Sequence, residues 1–132
     1  QIVVKEKESP GTVTIPNEQR KNKMLETLAV HSDSLILYFY DNGVVDGDMI
    51  SVYVNGQNVI SNARLTEAAT KKTIYFTSTS DSIRLTLTAE NLGSLPPNTG
   101  LVVIQDGINK YQVHFSADLQ TNATIVFRKR RN

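Results

Sequence analysis

From residue 24 onward the chain alternates apolar and polar residues with a period of two. Ile83, Leu85, Leu87 and Ala89 fall on one side, with Arg84, Thr86 and Thr88 opposite. Tyr111, Val113 and Phe115 alternate with Gln112, His114 and Ser116, and Ile50, Val52 and Val54 with Ser51, Tyr53 and Asn55. This is the pattern of a strand with one face against a core. Residues 35–40 are apolar on both faces, which predicts a central strand under a second layer. Runs of this kind cover residues 24–30, 35–40, 49–54, 73–77, 83–89, 101–105, 110–116 and 123–127.

Turn chemistry separates the runs. Asp41-Asn42-Gly43, Asp46-Gly47-Asp48, Asn55-Gly56, Asn91-Leu92-Gly93, Pro96-Pro97-Asn98 and Asp106-Gly107 supply residues suited to tight corners. About eight short strands cut this way predict an all-β fold, an antiparallel two-sheet β-sandwich of jelly-roll-like character. Residues 61–70 offer the one short helix, or else a loop crossing between sheets. Residues 1–23 read as an N-terminal tether or edge strand, 24–128 as the sandwich domain and 129–132 as a basic tail.

Composition narrows the function classes. The 132 residues suit one domain, and 39% hydrophobic with 20% charged content argues against wholesale disorder. A net charge of +1 removes the simplest electrostatic case for nucleic acid. No apolar run approaches the roughly 18 residues a spanning helix needs. The absence of cysteine excludes disulfides, thiolate metal sites and a cysteine nucleophile. The chain starts at Gln1 rather than Met, as an exported protein trimmed of its signal would, and as a piece cut at a domain boundary would equally.

Candidate chemistry concentrates in residues 41–48. Asp41, Asp46 and Asp48 lie between two strands, and mutual repulsion of three carboxylates has a cost unless something offsets it. Calcium would do so, taking six to eight oxygens from carboxylates and backbone carbonyls. The spacing is not that of an EF-hand loop. The other reading needs no metal, because Asp and Asn side chains bond nearby backbone N–H groups and hold tight turns themselves. Glu90 and Asn91 follow a strand and precede a proline-rich connection. They can hydrogen-bond a sugar, or fix the neighbouring loop by capping its N–H groups near 46–48.

These segments carry a resemblance. The stretches 40–48, 51–56, 89–93 and 96–99 contain Tyr40-Asp41-Asn42-Gly43, Asp46-Gly47-Asp48, Val52-Tyr53-Val54-Asn55-Gly56, Ala89-Glu90-Asn91-Leu92-Gly93 and Pro96-Pro97-Asn98-Thr99. Together they resemble a family of small exported all-β domains, secreted or lipoprotein, of Bacteroidetes-type bacteria. The resemblance covers about residues 20–128 and implies export and an all-β fold, but no activity. Val52–Gly56 with residues 83–91 is also loosely similar to galactose-binding-like jelly rolls, where many domains bind carbohydrate. Asp33-Ser34-Leu35 and Asp81-Ser82-Ile83 resemble O-glycosylation acceptors of that bacterial group.

Other chemistry is sparse. His31 and His114 have no partner at zinc spacing, and no nucleophile elbow, P-loop or dinucleotide fingerprint occurs. Tyr53 and Tyr75 are candidates for an exposed glycan platform. Arg128, Lys129, Arg130 and Arg131 form the strongest charge run. The expectation is a non-catalytic exported module for binding or structural support at the cell envelope, periplasmic, cell-surface or secreted, with calcium at Asp41, Asp46 and Asp48 if the loop takes an ion. Its partner would be a glycan or an envelope protein. One alternative is a carbohydrate-binding module using Tyr53, Glu90 and Asn91. Another is a small glycoside hydrolase pairing Glu90 with Asp46 or Asp48.

Overall fold

A computed structural model describes residues 19–42, 47–91 and 97–130. Among these lie nine strands: β1 (Lys21–Val30), β2 (Ser34–Asp41), β3 (Met49–Val54), β4 (Gln57–Arg64), β5 (Thr70–Tyr75), β6 (Ser82–Ala89), β7 (Asn98–Asp106), β8 (Asn109–Ala117) and β9 (Thr121–Lys129). They form a five-stranded sheet, β1-β9-β6-β3-β4, packed on a four-stranded sheet, β5-β2-β7-β8. Only β3–β4 and β7–β8 are hairpins; every other connection crosses between the sheets. All pairs are antiparallel except β1 with β9, which run parallel at one edge. The all-β sandwich expected from the alternation is the fold observed.

The alternating residues meet between the sheets. Leu35, Leu37 and Phe39 of β2, Ile83, Leu85 and Leu87 of β6, Val102 and Ile104 of β7, and Ile125 and Phe127 of β9 are buried in one core. Each large side chain moved from water to such a core contributes roughly 1.5–3 kcal/mol. β2 is central in its sheet, as its composition predicts. Its second face, Ile36, Tyr38 and Tyr40, is half-buried rather than enclosed. Lys71 lies over the Tyr38 ring, 6.0 Å from its centroid.

Three expectations need correction. Residues 61–70 are not a helix: Ser61 to Arg64 complete β4, Thr70 opens β5, and the residues between cross from one sheet to the other, as the loop reading expects. Leu65, between them, is fully buried and plugs the core. β4 escapes a period-two reading because it is an edge strand with an irregular register against β3. Its Asn58 amide donates to Ile60 O at 2.9 Å, and Asn62 takes a left-handed φ of 51°. β5 starts earlier and ends earlier than residues 73–77.

The chain-end boundaries also shift. β1 begins at Lys21, and Arg20 before it is buried, so the domain reaches into the expected tether. Residues 1–18 of that tether lie outside the described residues. The basic run is not a tail throughout. Lys129 is in β9 and pairs with Asp33, and the Arg130 N–H bonds Val30 O at 2.8 Å.

Candidate functional site

Of the three candidate aspartates, Asp41 and Asp48 are described, and hydrogen bonds organise their surroundings. Asp41 ends β2, and its N–H donates to Thr66 O at 2.8 Å. Asp48 sits just before β3, where its carbonyl accepts the Leu65 N–H at 2.8 Å. The Asp48 carboxylate is buried and accepts the Thr99 N–H at 3.2 Å. Asp41 pairs with Gly100 in register, next to Thr99, so Asp41 and Asp48 share one corner. Asp46 lies outside the described residues. Among the described residues no group of three His, Cys, Asp or Glu side chains is placed to hold a metal ion.

Asn91 serves as scaffold. Its Oδ1 accepts the Met49 N–H at 2.8 Å, and its Nδ2 donates to Gly47 O at 3.0 Å. Asn98, fully buried, adds an Nδ2 donation to Met49 O at 3.1 Å. The loop-fixing reading of Asn91 is therefore the geometry observed. Gly47 takes a φ of +86°, and the Arg64 guanidinium lies 3.0 Å from where a Cβ would stand. A cation next to the acidic corner is something the local spacing of aspartates does not reveal.

Glu90 and Tyr53 gather on the outer face of the five-stranded sheet. The Glu90 N–H donates to Met49 O at 2.8 Å, and its Oε2 accepts a hydrogen bond from Ser51 Oγ. Ser51 Oγ in turn accepts the Asn62 N–H at 3.1 Å. Tyr53 follows two residues later on the same face, opposite Thr86 of β6. Arg20 joins them from the other end of the sequence, its Nη1 donating to Ala89 O at 2.7 Å. Burial pulls the Arg20 guanidinium below its usual value, while Glu90, Asp118 and Tyr53 pull it back up. It remains charged, as guanidinium groups in proteins do.

Tyr75 does not join this group. It closes β5 in the other sheet, 69% exposed, so Tyr53 and Tyr75 cannot form one platform. His114 is exposed on β8, as its alternation predicts, and His31 lies at the far corner. There Asp106, buried, accepts the His31 N–H at 2.9 Å and the Ser32 N–H at 2.8 Å. Burial alone would raise the Asp106 carboxyl; hydrogen bonds from Ser32 and His31 outweigh it and hold the group below its ordinary value. Arg20 is the site residue that sequence reasoning missed. It stands in a wholly polar stretch with no periodic signal. No protein-family profile, curated protein or solved structure matches the chain.

Proposed function

We propose that the chain is a non-catalytic binding module that presents Tyr53 and Glu90 to a carbohydrate at the cell envelope, with the buried Arg20 holding the strand end beneath them. The observation carrying this reading is an aromatic ring, Tyr53, and an exposed carboxylate, Glu90, on one sheet face, linked through Ser51. Aromatic faces cover the apolar C–H side of a sugar, and charged groups bond its hydroxyls. The envelope setting follows from the resemblance of the motifs in 40–56 and 89–99. The test is a glycan array followed by calorimetric titration. Binding lost in Tyr53→Ala and Glu90→Gln, with unchanged melting temperature, supports the module. Absence of any glycan binding, or reducing ends released from a polysaccharide in a Glu90-dependent way, removes it.

A second reading adds calcium as a structural brace. It is favoured by the shared corner of Asp41 and Asp48. Melting in millimolar calcium against a chelator tests it. A rise that disappears in Asp41→Asn supports the brace, and an unchanged melting temperature removes it.

A further inference from the structure

We infer that the module takes an acidic carbohydrate, and that Arg84 and Arg128 bind its sulfate or carboxylate groups. The inference rests on the carbohydrate reading above and names the ligand class for the same sheet face.

The register brings the two arginines together. In the β6–β9 pair Ser82 is opposite Arg128, and Arg84 is opposite Val126. Arg84 and Arg128 are thus diagonal neighbours. Ile83, Leu85 and Phe127 beside them in sequence point into the core, so both arginines project from the outer face. Diagonal positions of an antiparallel pair are roughly 7–8 Å apart, close enough for long side chains to meet over one group. Two like charges this close repel unless an anion sits between them.

Among the described residues the surroundings supply no such anion. Arg84 and Arg128 line a cleft of about 510 Å³ with Met24, Asn55, Ser80 and Ser82, and none of these is acidic. Neither guanidinium has a hydrogen-bond or ion-pair partner among the described residues. The cleft is also built rather than loose. Asn55, at a φ of 50°, accepts the Arg84 N–H on its Oδ1 at 2.8 Å. The Ser80 Oγ accepts the Ser82 N–H at 3.2 Å and fixes the turn leading into β6. Met24, 52% exposed, gives the wall an apolar element. A planar N–H fork matches the two oxygens of a carboxylate or sulfate.

The cleft adjoins the proposed sugar site along the sheet through Asn55, two residues from Tyr53. Tyr53 is opposite Thr86, two residues from Arg84 on the same face, so Tyr53 and Arg84 are diagonal neighbours as well. A chain stacked on Tyr53 carries its next substituent to the arginine pair.

The test titrates the full chain with dextran sulfate, polygalacturonate, unmodified dextran and inorganic sulfate. The expected result is binding of at least one acidic polymer, none of dextran at the same concentration, and affinity falling steeply with salt. Arg84→Gln and Arg128→Gln should each weaken that binding about tenfold, while Arg128→Lys keeps part of it. Both sites are exposed, so melting temperatures should match the wild type. Inorganic sulfate binding as tightly as the polymer would assign the cleft to a free oxyanion and overturn the carbohydrate source. Neutral glycan binding that needs Tyr53 but is indifferent to both arginine variants would overturn this inference and leave the proposed function standing. Acidic polymer binding that needs the arginines but survives Tyr53→Ala would keep the anion cleft and remove the sugar platform.

Discussion

The Phe115 ring lies directly over the backbone of Gly100. The two residues are register partners in the β7–β8 pair, and a Cβ on Gly100 would stand 2.3 Å from Phe115 Cζ and 2.8 Å from Tyr40 O. The glycine is required by this close approach, not by its backbone angles. Gly100→Ala should therefore destabilise the fold by about 2–3 kcal/mol, the upper range for overpacking. Urea denaturation measures it, and Gly100→Ala combined with Phe115→Leu should recover part of the loss. A single variant of wild-type stability would contradict the packing.

Asp106 should make stability depend on acid pH. Its carboxyl is held below the ordinary value, so it binds a proton more readily unfolded than folded. The stability it contributes is complete above the unfolded value near 4 and is lost as pH falls through the lower folded value. Asp106→Asn should cost about 1.5–3 kcal/mol at neutral pH, because charged hydrogen bonds to the His31 and Ser32 N–H groups are weakened. That cost should shrink below about pH 4, where the wild-type carboxylate protonates. A cost independent of pH would contradict the assignment.

Asn91→Ala separates scaffold from ligand. Removing its bonds to Met49 and Gly47 should cost about 1–3 kcal/mol, since a half-buried N–H is left without its acceptor. Thermal melting reads the loss directly. Wild-type stability with lost glycan binding would instead make Asn91 a contact residue.

Leu65 and Ile108 test where the core ends. Leu65→Ala should cost about 2–5 kcal/mol, because the side chain is fully enclosed although it lies between strands. Ile108→Ala should be close to neutral, its side chain being 98% exposed at the β7–β8 turn. Equal effects in denaturant titration would refute the difference.

Alternation in the amino-acid order by itself determined the sandwich and part of its core. The inward residues of β3, β6 and β8 were legible because a strand's two faces are set by a period of two, a local property. The corners at Asn55-Gly56 and Gly107 were legible too, because positive φ restricts the residues that fit. Tertiary structure alone decided what pairing at long range controls. It assigned Tyr53 and Tyr75 to different sheets and made β4 a polar edge strand without clean alternation. It brought Arg20 to Ala89 across 69 residues of chain and put Arg84 diagonal to Arg128. A face pattern says which side of a strand meets the core, but not which strand lies beside it. Neighbours come from backbone hydrogen bonds between distant segments, and those bonds are nearly blind to side-chain identity.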